Sequence, residues 1–453
     1  MGFKPINVKE RKYITLIVLH VLIGILIYLF RPLSTLYAMS IPVIGLYYIV
    51  KKQNRNNEVL FVSAYIVGSE VFLRMTGGNL LYESAKYGVM LFLALGMYYN
   101  GFSKDAIPFW IYILLLLPGV FIATETLNLE TDIRKAIAFN ISGPICLGIA
   151  SIYCYNRKIL LSQLSNILWT LALPILSMTV YLILYTPDLK EILTGTDSNL
   201  ETSGGFGPNQ VATVLGVGMF VFFSRLLLHS KTKLLFIVNL IILFNITYRG
   251  FVTFSRGGMM TGFIMIILLL LYIYINVRSY QRYKLLAFFG FMTIALIFTW
   301  IYTSNQTGGL IDKRYTNKDA AGRVKESNLS GREEIWDSEI ADFLDHPVFG
   351  VGVAKALEIR EVKSGGLIIA SHSEISRTIA EHGMMGILAL LIVLFTPIFL
   401  YLNNRQNIYM FSLLLFWLLT INHAAMRIAA PAFVYSLSLL KVYMDEEPTL
   451  HRE

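Results

Sequence analysis

Apolar residues along this chain come in long, nearly unbroken runs, not at the three- and four-residue steps of an amphipathic helix or in the alternation of a half-buried strand. Fourteen such runs recur: Tyr13 to Phe30, Leu33 to Val50, Val59 to Phe72, Tyr87 to Tyr99, Ala106 to Ile122, Ala136 to Tyr155, Leu164 to Tyr185, Asn209 to Leu228, Leu234 to Tyr248, Gly257 to Ile275, Leu285 to Thr303, Met384 to Leu402, Ile408 to Ala424 and Ala429 to Tyr443. Crossing roughly 30 Å of hydrocarbon requires a segment that satisfies its own backbone, and a helix does so. The pattern predicts an all-α, polytopic membrane protein with 12 to 14 transmembrane helices. The count is fourteen if every run crosses, and twelve if a weak pair such as the third and fourth is re-entrant or interfacial.

One hydrophilic stretch interrupts this pattern for long, from Ser304 to His382. Within it "GREEIWDSEIADFLDHP" places Ile335, Trp336, Ile340, Phe343 and Leu344 at helical spacing, and Pro347, Gly350 and Gly352 then end the helix in a tight turn. The expected organisation is a first block of helices over 1–303, a structured lobe over 304–382, and a last block of helices with a short tail over 383–453. No internal repeat or low-complexity tract is present.

Basic residues sharpen the topology. Lys51, Lys52 and Arg55, then Arg157 and Lys158, Lys231 and Lys233, and Arg278, Arg282 and Lys284 fall in alternate connections, while "TETLNLETD" and "TPDLKEILTGTDSNLETSGG" between them are acidic or neutral. The positive-inside rule then predicts cytoplasmic termini and a lobe on the outer face. The first run lacks a small-residue cleavage site after it and reads as a retained helix.

Composition narrows the function classes. The 453 residues are 55% hydrophobic and 15% charged, which agrees with a membrane protein. The net charge of +9 sits largely in topology-setting clusters, so no nucleic-acid partner is expected. Cys146 and Cys154 share one apolar run, which argues against a disulfide framework or a zinc site. P-loop, dinucleotide and HExxH patterns are absent, so the expected chemistry needs neither metal nor nucleotide.

Several motifs on the outer face carry candidate chemistry. "YRGFVTFSRGGMM" supplies Arg249 and Arg256. An arginine at such a junction often only anchors a helix, but Gly257 and Gly258 leave the backbone bare beside Arg256, where a bulky anion could approach. A guanidinium keeps its proton and donates two parallel hydrogen bonds to phosphate. In "SGREEIW", Ser330 is the expected N-cap and Arg332 lies in the first helical turn, where an anion would be favoured by helix end and guanidinium together. In "ASHSEISRTIAEHGMMG", Ser371 and Glu374 fit a capping box that would put His372 in the first turn of a membrane-entering helix. A helix N-terminus disfavours a protonated imidazole, so a ring there is poised to accept a proton. Gly383 and Gly386 would let another helix pack close behind. "GGFGPNQVA" offers a turn at Gly207 and Pro208 with Asn209 as helix cap or sugar-binding amide, and "NHAAMRIAAP" adds His423 and Arg427 as supporting groups.

Taken together, "SRGG", "SGREEIW", "DHPVFGVGV" and His372-Ser373 followed after nine residues by Gly383 and after two more by Gly386 resemble the O-antigen ligase and polymerase family of bacterial membrane glycosyltransferases. The motifs cover Gly207 to Gly386, and the many-span layout with one late outer loop extends the likeness. The resemblance implies a GT-C-like fold in the bacterial inner membrane with a periplasmic site and no cofactor. Its implied donor is a glycan on undecaprenyl pyrophosphate, held by Arg256 and Arg332, with His372 as general base. The implied acceptor is lipid A-core in a ligase or a second lipid-linked unit in a polymerase, and the histidine spacing favours the ligase. Arg249, Asn209, Trp336, Glu374 and Arg427 are the expected substrate-binding residues. Membrane lipids are the remaining partner. A lipid-linked oligosaccharide flippase is the rival from another class; it predicts inverted repeats and intramembrane charges, for which Glu70 and Arg225 are the evident candidates.

Overall fold

A computed structural model describes residues 8–79, 81–186, 188–325, 332–366 and 371–444. Each of the fourteen apolar runs forms a helix. In chain order these are α1 Val8–Leu29, α2 Leu33–Lys52, α3 Glu58–Thr76, α4 Ser84–Asn100, α5 Ile107–Thr126, α6 Ile133–Cys154, α7 Leu161–Tyr185, α8 Pro208–Leu228, α9 Lys233–Val252, α10 Arg256–Asn276 and α11 Ser279–Gln306; after the lobe helices α12 Leu310–Tyr315, α13 Arg332–Asp345 and α14 Lys355–Lys363 come α15 Glu374–Asn403, α16 Met410–Ile421 and α17 Ala430–Leu437. The chain is an all-α polytopic membrane protein, with 11 of the described helices long and apolar enough to cross a bilayer.

The exceptions are α4 with 17 residues, α16 with 12 and α17 with 8. The third run is not part of a weak pair, because α3 is a central helix whose apolar window is 83% buried. The short pair is instead the last one. Between α16 and α17 the polar groups of Asn422, His423 and Arg427 and a left-handed Ala425 interrupt the helix, making a broken hairpin whose tip carries those side chains.

Packing grades across the bundle. The apolar window of α8 is 89% buried, whereas that of α11 is 6% buried and leaves its apolar side chains on the outside of the bundle. Hydrocarbon supplies little drive for helices to associate, so α8 and α10 gain from close backbone approach. A Cβ on Gly216 would lie 2.3 Å from the Gly258 carbonyl oxygen, and one on Gly262 would lie 2.6 Å from that of Gly216.

The basic connections converge at one end of the bundle. There Asn54 Nδ2 donates to Asn100 Oδ1 (2.6 Å) and Tyr153 Oη (3.0 Å), and Arg157 Nη2 donates to the Gly101 carbonyl (2.6 Å). A parallel pair, β1 Lys158–Leu160 with β2 Lys441–Tyr443, ties the chain's last described residues to the same end. The lobe and the candidate chemistry lie at the other end.

The lobe departs from its sequence pattern. On α13 the fully buried positions are Glu339 and Asp342, whereas Trp336 is 42% exposed and Leu344 69%. The expected apolar stripe fails because the facing surface is charged: Glu339 pairs with Arg360 (2.7 Å) and accepts from Ser371 and Ser376, and Asp342 pairs with Lys363 (3.4 Å).

Candidate active site

The geometry around His372 begins with a break in α15. Gly383 has φ 61° and ψ −142° inside that helix, a left-handed conformation that costs glycine little. At the break the helix's own amide partners are lost, and the "DHPVFGVGV" loop replaces them. Val351 N donates to the Ala380 carbonyl (2.9 Å), Gly352 N to Glu381 (3.1 Å), and Met384 N to the Pro347 carbonyl (2.8 Å). The two motifs occur together because one completes the hydrogen bonds of the other. Gly383 and Gly386 therefore admit this loop and the preceding turn of the same helix, not a separate helix: added Cβ atoms would meet Gly350 N at 2.7 Å and the Thr378 carbonyl at 2.3 Å.

The expected capping box does not form. Ser373 is the N-cap, its hydroxyl accepting from Ser376 N (3.4 Å), and His372 stands just before the helix. Ser371 Oγ turns to the Ser373 carbonyl, and Glu374 is drawn away by Arg377. His372 is held by its backbone, since its carbonyl accepts from Ala425 N (3.1 Å) while Arg427 Nη2 donates to the Ser371 carbonyl (2.8 Å). The tip of the α16–α17 hairpin thus positions the histidine.

That tip is itself latched from below. Glu374 Oε2 accepts from Met426 N (3.1 Å), Glu70 Oε2 accepts from Ala429 N (2.7 Å), and Arg74 Nη1 donates to the Arg427 carbonyl (3.1 Å). Glu70 and Arg74 pair at 2.6 Å, and Lys86 pairs with Glu83 at 2.6 Å. The intramembrane acid that a transporter would use is here a backbone clamp. Arg225, the other, has its guanidinium 5.0 Å from the Trp169 ring and 5.4 Å from that of Tyr13.

A cavity of about 580 Å³ opens above the hairpin tip, and its lining includes His372, Arg256, Arg427, Asn209, Gly257, His423, Arg314 and Asp197. Three guanidiniums against one carboxylate give it a net positive lining, the kind of surface that favours an anion. Arg256 opens α10, and the neighbouring glycines serve a use other than bare approach to an anion. A Cβ on Gly257 would strike the His423 ring at 2.6 Å, and one on Gly258 would strike the backbone of Ala212 at 2.3 Å. Asn209 does not cap α8, which starts at Pro208 behind Gly207. Its side chain accepts from Ser255 Oγ (2.7 Å) and so ties the heads of α8 and α10 together.

The remaining expected residues are distributed differently. Arg249 is 2% exposed and outside this lining; its guanidinium donates to Thr186 Oγ1 at 2.7 Å, bracing the ends of α7 and α9. Glu374 lies beneath the cavity as the hairpin latch. Trp336 lines a second cavity of about 420 Å³, whose lining also includes His372. Ser330 and the side chain of Arg332 lie outside the described residues. Sequence reasoning missed Arg314, whose Nε donates to the Phe254 carbonyl (3.0 Å) and whose Nη1 faces Asp197 (3.4 Å). The adjacent Lys313-Arg314 pair at the start of the outer segment was the available signal. Hydrogen bonding from Lys325 draws the Asp197 carboxyl below its ordinary range.

With this geometry in view, the comparisons with known proteins are specific. Residues 238–391 match the model of the O-antigen ligase family. The matched region is similar to the family that the motifs resemble, and it contains Arg249, Arg256, Arg332, Trp336, His372 and Glu374. An uncharacterized protein of Haemophilus influenzae is 26% identical over 168 residues, which is 34% of this chain and 40% of that protein. Asn209, His423 and Arg427 fall outside the matched family region, yet the fold brings them to the same cavity.

Proposed function

We propose that the protein is a membrane glycosyltransferase of the ligase type, moving a glycan from an undecaprenyl-pyrophosphate carrier to a sugar hydroxyl on the periplasmic side of the bacterial inner membrane. The observation that carries this reading is the arginine-rich cavity with His372 in its wall. In the proposed reaction the acceptor oxygen attacks the anomeric carbon, the bond to the pyrophosphate oxygen breaks, and the hydroxyl proton passes to His372. Direct attack inverts the anomeric centre. Arg256 and Arg427 offset the charge that grows on the leaving pyrophosphate. Both termini are assigned to the cytoplasm, because the basic connections gather at the end of the bundle away from the cavity.

The test is reconstitution of the purified chain with a lipid-linked donor and, in parallel, lipid A-core or a second lipid-linked unit. Attachment to lipid A-core supports the ligase, and a ladder of lengthening lipid-linked products would replace it with the polymerase. His372→Ala should lower transfer by about 10²- to 10⁴-fold, the usual worth of a general base, with insertion intact. Near-normal transfer by this variant would remove the base assignment.

A further inference from the structure

Resting on that reading, we infer that the second cavity, under α13, is the acceptor subsite and that it selects an uncharged terminal sugar. Its volume of about 420 Å³ falls within the range of small-molecule sites, roughly 300–1,000 Å³. Glu333, Trp336 and Asp337 line it from α13, with His372, Ser373 and Asn422 from the bundle. His372 belongs to both linings, so a hydroxyl held under α13 and an anomeric carbon held in the arginine-rich cavity meet at one imidazole.

Among the described residues the two cavities are opposite in charge. Among the described residues, the ionised side chains lining the second are carboxylates, Glu333 and Asp337. Carboxylates accept hydrogen bonds from sugar hydroxyls, the serine and asparagine both donate and accept, and the 42% exposed Trp336 ring offers a flat apolar face to a pyranose. A phosphate or uronate at the same place would face two like charges, while the arginines of the first cavity would attract it. Charge segregation therefore keeps the anionic part of the donor out of the acceptor's place, a specificity made by repulsion as much as by attraction.

Saturation-transfer NMR on the full chain in nanodiscs, without glycan donor and with saturating inorganic pyrophosphate to fill the arginine-rich cavity, reads the acceptor step apart from turnover. The probes are a panel of neutral trisaccharides of glucose, galactose, rhamnose and N-acetylglucosamine, and trigalacturonate as the matched anion. At least one neutral member should bind at least tenfold more tightly than trigalacturonate, and Trp336→Ala should weaken it tenfold or more. The near-isosteric double variant Glu333→Gln/Asp337→Asn, on exposed positions, should close the gap for trigalacturonate while leaving binding of inorganic pyrophosphate unchanged. Equal binding of trigalacturonate by the unmodified chain, binding of no neutral member, or a gap that survives in the double variant would overturn the inference. The proposed transfer reaction fails separately, by absence of product in the reconstituted system while neutral saccharides still bind.

Discussion

On the bundle side of His372 the lining comes from the heads of α8 and α10 and the tip between α16 and α17, elements wedged together by Gly216, Gly258 and Gly262 and latched by Glu70 and Glu374. On the lobe side it comes from α13, whose ring and outer carboxylates stand exposed. In the proposed reaction the difference separates two tasks. Stabilising charge that develops on a leaving group requires donors that do not reorganise, and helix ends fixed by backbone contacts supply them. Receiving a glycan requires room and tolerance, which a half-exposed aromatic on an outer helix provides.

Two arginines from one motif give the strongest way to break this comparison. Arg256 lines the arginine-rich cavity, while Arg249, seven residues earlier, braces α7 and α9 through Thr186. Arg256→Lys keeps the charge and loses the planar fork, and is expected to slow transfer by about 10²-fold, the scale of one lost donor to a developing anion. Arg249→Lys should instead lower the thermal midpoint of the detergent-solubilised protein, with transfer per folded molecule close to normal. Turnover and melting measured on both variants decide the matter; if Arg249→Lys stalls turnover while Arg256→Lys only melts, the two roles are reversed and the cavity has been misread.

A smaller effect is expected at the joint between the two regions. Alanine at Gly383 would hold a Cβ at a left-handed φ and press it against Gly350 N and the Pro347 carbonyl at 2.7 Å, backbone atoms that cannot rotate aside. Gly383→Ala should cost roughly 1–3 kcal/mol. The loss should appear as faster proteolysis of the 347–366 segment with the membrane helices still protected. Unchanged lobe protection would mean that the loop is seated by other contacts.

These contrasts show how much the sequence made legible. Runs of apolar residues located every membrane helix, because a hydrocarbon solvent imposes one backbone solution on all of them. Arg256, Asn209, His372 and Arg427 were each recognisable from a polar side chain at a helix end, and they share one cavity. The cap at Ser373 in place of Ser371, the use of the SRGG glycines and the inward acids of α13 were not legible. Each depends on which distant backbone arrives: the hairpin tip at His372, the His423 ring at Gly257, and Arg360 at Glu339. Local spacing states what a segment offers, while the partner decides which offer is taken.

The smallest expected effect concerns how firmly the lobe sits against the bundle as pH changes. Burial raises the Glu339 carboxyl above its ordinary range, with Ser376 and Arg360 partly opposing it. Glu358 differs: burial pushes its carboxyl up, but hydrogen bonds from Lys355, Thr131 and Asn128 outweigh that and leave it below the ordinary range. A raised carboxyl binds its proton more tightly in the folded lobe, so its contribution weakens as pH rises past the ordinary carboxylate value near about 4. A depressed one contributes fully above that value and is lost as pH falls through its lower folded one. The lobe should therefore hold most firmly in mild acid, loosen slightly toward neutrality, and release below the ordinary carboxylate range. Each change should be about 1 kcal/mol or less, a few-fold in the hydrogen exchange of the α14 amides. Glu339→Gln should flatten the rise from neutral to mild acid, and Glu358→Gln should remove the loss at low pH. If both variants keep the profile of the unmodified lobe, these two carboxylates do not set its seating.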